Sequence, residues 1–173
     1  MKKILETERL VLREWRPEDA DVLFAMCGDA ETMRYIGDCR PWAGIERAHL
    51  WLARVMASYQ EHGYGPWAVV ERASGEVIGS CGFSYLVALA EVDFGYVFSR
   101  ARWGEGFATE AARAALRYGF ERFGFERVSA NTVQEHKVSR RVLEKIGFEY
   151  QGLRHYEGDE EDSAFYVARK PSA

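Results

Sequence analysis

Between Arg9 and Trp15 apolar and charged residues alternate, the period-two pattern of a strand: Leu10, Leu12 and Glu14 share one face, Val11, Arg13 and Trp15 the other. Arg16-Pro17-Glu18-Asp19 then opens a helix, because proline suits the first helical position and acids suit the first turn. Val22, Leu23 and Met26 give that helix its apolar stripe, and Gly28 is its stop. Residues 29–43 predict a short helical turn and a loop marked by Gly37, Asp38 and Pro41. Ala48, Leu52, Val55 and Tyr59 recur at helical spacing over 44–62, and Gly63 ends that helix. Residues 64–70 and 77–85 read as a hairpin around Arg72-Ala73-Ser74-Gly75. At 93–98, Phe94, Tyr96 and Phe98 alternate with Gly95 and Val97, which predicts a strand. Ala108, Ala112, Leu116, Phe120 and Phe123 form the stripe of a long helix closed by Gly124, with Glu110, Arg113, Arg117 and Glu121 on its opposite face. Residues 126–132 predict a strand. Helical spacing resumes at His136, with Val138, Val142 and Ile146 on one side and Gly147 as stop. Strands at 148–155 and 163–168 close the chain around an acidic turn, residues 157–162.

Strands alternating with flanking helices predict an α/β fold with a mixed sheet. The 173 residues predict one domain spanning 1–173, without repeat or linker. A net charge of −4 argues against a general nucleic-acid binder, which would be basic. The three cysteines, Cys27, Cys39 and Cys81, show no metal-type spacing, so they read as reduced thiols of a cytoplasmic protein, and no metal is expected. The opening MKKILETERL lacks the apolar run of a signal peptide, and no run approaches the ~20 residues that span a membrane.

Chemistry concentrates where the strand at 93–98 meets the long helix. Arg102, Trp103, Gly104, Glu105, Gly106, Phe107, Ala108 and Thr109 form the connecting turn. Its glycines permit close backbone approach, and the helix that follows aims free N–H groups and its positive dipole end back at the turn, a site for phosphate. A dinucleotide fingerprint needs a third glycine where Thr109 stands, and a P-loop needs a GK[ST] that is absent, so this turn matches neither motif.

The string WGEGFATEAARAALRYGF, followed by SRRVLEKIGF at 139–148, resembles the GNAT N-acetyltransferases, and within them the branch of the ribosomal-protein N-terminal acetylases RimJ and RimL. The resemblance runs from LETERLVLREWRPEDA at residues 5–20 to the last strand near Phe165. It implies a mixed, mostly antiparallel sheet flanked by helices and splayed between its fourth and fifth strands, here 93–98 and 126–132. It also implies acetyl-CoA as acyl donor, with the pantetheine arm in the splay and the pyrophosphate on the 102–109 turn. A homodimer is common in the family, without an interface being fixed here.

Acetyl transfer to an amine needs a neutral amine, a polarised carbonyl and a stabilised thiolate. Asp93 stands where the branch often carries a glutamate and is the candidate base, although alone it is also an ordinary carboxylate at a strand start. A backbone N–H of Tyr96, Val97 or Phe98 would polarise the carbonyl. Ser139 matches the branch serine that faces the sulfur; on spacing alone it is an ordinary helix serine. Other branches place a tyrosine four residues later, where this chain has Leu143. The branch pattern N-x-x-S reads His136-Lys137-Val138-Ser139 here, so histidine replaces the asparagine that binds the pantetheine arm. Asn131 is an alternative contact. Ala101 stands where the wider family often has glutamine or arginine, which leaves Arg102, Arg140, Arg141 and Lys145 as candidate phosphate partners. The implied reaction is direct attack in a ternary complex, since no cysteine lies between Asp93 and Phe148. The expected acceptor is a protein N-terminal α-amine; an aminoglycoside, a polyamine, another small amine, or a non-catalytic acyl-CoA-binding module remain as alternatives.

Overall fold

Eight strands join in one sheet in the computed structural model, which describes residues 2–158 and 160–171. They are β1 (Lys3–Glu6), β2 (Leu10–Arg13), β3 (Pro66–Glu71), β4 (Val77–Leu86), β5 (Glu91–Phe98), β6 (Arg127–Thr132), β7 (Glu149–Arg154) and β8 (Ser163–Arg169). Their spatial order is β1-β2-β3-β4-β5-β6-β8-β7. The helices are α1 (Ala20–Cys27), α2 (Ala30–Met33), α3 (Ile45–His62), α4 (Phe107–Arg122) and α5 (Lys137–Ile146). Strand β1 was not anticipated: four residues with a half-exposed pattern give the alternation too little length to register. Asp159, within the predicted acidic turn, and residues 1, 172 and 173 of the predicted domain lie outside the described residues.

The pairing of β5 sets up the site. On one side it runs antiparallel to β4 from Gly79↔Phe98 to Leu86↔Glu91. On the other it meets β6 in parallel, with Asp93↔Ser129 as the single register position. Beyond that point the two strands part toward their C-terminal ends, as the resemblance implied. Because β1 precedes them, the fourth and fifth predicted strands are the fifth and sixth of the chain.

Both halves of the sheet are held by large buried side chains. Trp67, Phe83, Phe94 and Tyr166 are fully or almost fully buried, with the Phe83 ring 5.3 Å from Phe94 and 5.7 Å from Trp67. The link from β2 into α1 turns on a buried ion pair: Arg13 donates to Asp19 at 2.6 and 2.8 Å, and Asp19 also accepts the Arg16 N–H at 2.9 Å. Trp15 follows, its backbone N–H on the Tyr59 hydroxyl at 3.2 Å.

Two predicted faces are rotated. In α4 the buried residues are Phe107, Ala111, Ala112, Ala115, Leu116, Gly119 and Phe120, and Glu110, assigned to the solvent face, is half-buried against the β1–β2 turn. A side chain at Gly119 would put its Cβ 2.5 Å from the Phe83 ring, so the helix approaches the sheet on that residue. In α5 the buried residue is Leu143, while Val138 is 67% exposed. With one apolar face on a ten-residue helix, periodicity fixed the helix but not which of two adjacent stripes turns inward.

Candidate active site

The gap between β5 and β6 opens into a cleft of about 1030 Å³. Asp93, Tyr96 and Val97 of β5 line one wall; Asn131 of β6 lines another, with His136 and Ser139 at the start of α5. The cleft continues between the aromatic side chains of Tyr35, Trp42 and Trp51 and an acidic rim of Asp38, Glu160, Glu161 and Asp162. Six sequence-predicted site residues are thus gathered in one place. Phe98 and the turn from Arg102 to Thr109 lie outside the cleft lining, and the Phe98 ring is buried.

Asp93 sits at the one register position of the parallel pair, so its side chain is half-enclosed where the strands are still close. Burial pushes its carboxyl up to about 7. Ser129 Oγ at 3.3 Å and Asn131 Nδ2 at 3.5 Å oppose this only in part. Glu91, two residues earlier, adds negative charge but is itself pinned between Arg127 at 2.9 Å and Arg154 at 2.8 Å.

Ser139 stands in the first turn of α5 with its Oγ 2.9 Å from the Tyr96 hydroxyl. His136 is the N-cap residue of that helix, but its side chain makes no capping bond. Its ring instead stacks on Tyr35 at 4.6 Å and 26°. Burial lowers its pKa, which favours the neutral imidazole.

The turn into α4 has the geometry its glycines predicted. Gly104 and Gly106 both have φ of +81°, a left-handed conformation that a β-carbon disfavours. Gly106 is the N-cap, and no side chain caps the helix, so its first-turn N–H groups are available to an anion. Trp103 is half exposed and donates its indole N–H to the Phe98 carbonyl at 2.9 Å. The turn is braced from a distant place that sequence reasoning missed. Arg9 donates to the Glu105 carbonyl at 3.0 Å, pairs with Glu110 at 2.7 Å and covers the Phe107 ring at 4.3 Å. Phe107 is buried, while Ala108 and Thr109 are half-buried.

The basic candidates separate on contact. Arg102 is paired with Glu71 at 3.0 Å and Glu76 at 3.5 Å. Arg140 bonds the Tyr166 hydroxyl at 2.9 Å. Arg141 is exposed on α5 and makes no ion pair among the described residues. Among the described residues no group of three or more His, Cys, Asp or Glu side chains could hold a metal, and no helix is long and apolar enough to cross a membrane.

Comparison with known proteins agrees with this geometry. A family model described as an acetyltransferase (GNAT) domain matches residues 9–149. The uncharacterized N-acetyltransferase YoaA of Bacillus subtilis is 34% identical, over 99% of both chains. The [ribosomal protein uS5]-alanine N-acetyltransferase of Escherichia coli is 28% identical, covering 86% of this chain and 79% of that protein. The crystal structure of an acetyltransferase from Agrobacterium tumefaciens superposes with a TM-score of 0.84 at 23% identity, covering 98% of this chain and 95% of that one. Matches of this extent show that the chain belongs to the GNAT family and is an acetyl-CoA-dependent N-acetyltransferase.

Proposed function

We propose that this enzyme acetylates a protein N-terminal α-amine, as a RimJ/RimL-like member of the family, by direct attack in a ternary complex. The observation that carries the reading is Asp93: a carboxyl titrating at about 7, in the cleft that also holds Ser139. An α-ammonium has a pKa near ~7.7–8.0, so passing its proton to such a carboxylate costs about 1 kcal/mol. A lysine ammonium at ~10.4 would cost roughly 4–5 kcal/mol. The base is matched to the more acidic ammonium, that of the α-amine. The likeness to the uS5-alanine enzyme supports the same class of acceptor.

The residues divide the work as follows. The first-turn N–H groups of α4, with Gly104 and Gly106, hold the donor's pyrophosphate. Asn131 and His136 flank its pantetheine arm. With β6 drawn away beyond Asp93, an N–H on the freed edge of β5 polarises the thioester carbonyl. Asp93 takes the amine proton, and Ser139 faces the sulfur. The uncapped helix start, the parted strands and the polar cleft wall fit that donor. Of the two cysteines in the cleft lining, Cys27 is held protonated by burial, which pushes its thiol up to about 12, and Cys39 is an exposed free thiol on the loop after α2; the reading routes no step through either. The reading takes residues 1–173 as one catalytic domain.

The acidic rim favours a second reading, in which the acceptor is a small polycation such as a polyamine or an aminoglycoside. Thiol release from acetyl-CoA separates the two, measured on N-terminal peptides, lysine peptides, polyamines and aminoglycosides. The proposal expects the highest kcat/KM on N-terminal peptides; a preference for either polycation class would replace it.

A further inference from the structure

Tyr96 of β5 and Ser139 of α5 are 43 residues apart in the chain, and both line the cleft. The Tyr96 hydroxyl lies 2.9 Å from Ser139 Oγ and 3.1 Å from the Ser139 carbonyl oxygen. A phenol has one hydrogen to give. Two arrangements fit these distances. In the first, the phenol donates to the carbonyl and the serine hydroxyl donates to the phenol oxygen, which commits the serine hydrogen to Tyr96. In the second, the phenol donates to Ser139 Oγ, and the serine hydrogen is free for a group in the cleft. The carbonyl loses little in the second, because in an α-helix it also accepts the N–H four residues on.

We propose that Tyr96 is a positioning residue for the leaving group: by donating to Ser139 Oγ it turns the serine hydrogen toward the donor's sulfur, where it stabilises the thiolate as it forms. This rests on the placement of Ser139 at the sulfur given above. The step balances without a proton leaving serine. The ammonium proton first passes through Asp93 to solvent, so the amine attacks neutral with Asp93 ionised; a carbon–nitrogen bond then forms, the carbon–sulfur bond breaks with its electron pair remaining on sulfur, and the proton shed by the nitrogen goes to Asp93. Thiols ionise near ~8.5, far below an alcohol, so Ser139 holds the thiolate by a hydrogen bond and does not protonate it. Burial holds the Tyr96 phenol above its usual range, so it stays a donor. Cys81 on β4 and Tyr166 on β8 also face Tyr96, and burial raises both, so neither brings a negative charge to compete for the phenolic hydrogen.

The test titrates the thiol of bound coenzyme A, followed by the ultraviolet absorbance of its thiolate, in wild type, Y96F, S139A and the double variant. Kinetics on acetyl-CoA and thermal melting are run on the same proteins. Asp93 and His136, the other titratable groups beside the dyad, are unchanged across the series. Expected are a wild-type thiol about tenfold more ionised than free coenzyme A at the same pH, loss of that gain in both single variants, and an about tenfold lower kcat in Y96F with acetyl-CoA KM unchanged. The double variant should be no slower than S139A, since the two groups act as one unit. Tyr96→Met, also without a donor, replaces Y96F should the latter not fold. A wild-type kcat and thiol titration in Y96F, or losses that multiply in the double variant, would overturn the inference. Failure of wild type to bind coenzyme A would instead sink the assignment of the cleft itself.

Discussion

The Arg9 guanidinium lies 2.7 Å from the Glu110 carboxylate, which joins the β1–β2 turn to the first turn of α4 across 101 residues of sequence. Glu110 also accepts the Thr7 hydroxyl at 2.6 Å and the Arg9 backbone N–H at 3.0 Å. Through Arg9, which reaches the Glu105 carbonyl, this carboxylate holds the loop between Gly104 and Gly106 in place. If the turn holds the donor's pyrophosphate as proposed, Glu110 serves that site without touching phosphate. E110A should weaken acetyl-CoA binding about tenfold, equivalent to ~1.4 kcal/mol, with kcat at saturation within about twofold of wild type. Calorimetric titration with coenzyme A checks it, and unchanged affinity would assign the brace to stability alone.

The proposed base, Asp93, predicts a pH dependence. With its carboxyl at about 7, kcat/KM for the acceptor should rise with pH through that value as the base ionises. D93N should lose about 10²-fold or more and with it the inflection. Stability carries the opposite sign. The folded-state pKa lies above the ordinary carboxylate value, so the folded protein binds the extra proton, and ionising Asp93 costs stability as pH rises from about 4 to 7. D93N should accordingly melt higher than wild type at pH 8 and no higher at pH 4. A variant that is both inactive and less stable at pH 8 would contradict the assignment.

How much of this was legible in the sequence differs by element. The order of strands and helices was readable, because each long element has an apolar stripe and a glycine or proline stop. The turn from Arg102 to Thr109 was readable as a turn, because two glycines close together before a helix mark left-handed backbone. The contacts of its flanking charges were not. Arg102 and Arg9 are both arginines near a turn or strand edge, and only the fold shows that Glu71 and Glu76 hold the first while the second braces the glycine turn. The Tyr96 hydroxyl escaped for a related reason: a tyrosine alternating along a strand reads as packing, and its partner stands on a helix 43 residues away. His136 departs from the branch pattern by one residue, yet its partner, Tyr35, comes from the loop after α2, which has no sequence signal for the contact.

That stack predicts a separable effect. His136 and Tyr35 together form part of the cleft wall, and an aromatic pair contributes about 0.5–1.5 kcal/mol beyond its area. H136A should raise the acceptor KM several-fold more than the acetyl-CoA KM. H136N, which restores a polar group at the start of α5 but not the stack, should recover acetyl-CoA affinity and leave the acceptor defect. Equal recovery of both constants would show that Tyr35 does not depend on the stack.

The buried Arg13–Asp19 pair is a stability element remote from the chemistry. Burial works against the Asp19 carboxylate, but the Arg13 hydrogen bonds and the Arg16 N–H outweigh it and hold its pKa below the usual range. Its contribution is therefore present above the ordinary carboxylate pKa and is lost as pH falls through the depressed folded value. D19A leaves Arg13 buried without a carboxylate partner, its remaining bond being to the Glu14 carbonyl at 3.0 Å, a change that costs about 3–5 kcal/mol. Urea unfolding at pH 7 should show that loss, whereas kcat measured well below the melting temperature should stay within about twofold.

The acidic rim decides between the two acceptor classes. Glu160 and Glu161 are exposed at the cleft edge, where their fields reach an approaching cation but are screened by salt. Asp162 is more committed, 3.1 Å from the His155 ring, with its carbonyl accepting from Gln134 at 2.8 Å. Neutralising the first two as E160Q/E161Q therefore removes charge and leaves the hairpin tethered. For a polyamine, kcat/KM should fall about tenfold at low ionic strength and the loss should fade at high salt, because the rim acts on encounter rather than on the reacting atoms. For an N-terminal peptide without further positive charge it should stay within about twofold. If that peptide suffers as much as the polyamine, the rim contacts the α-amine itself, and Asp93 is no longer the group that recognises it.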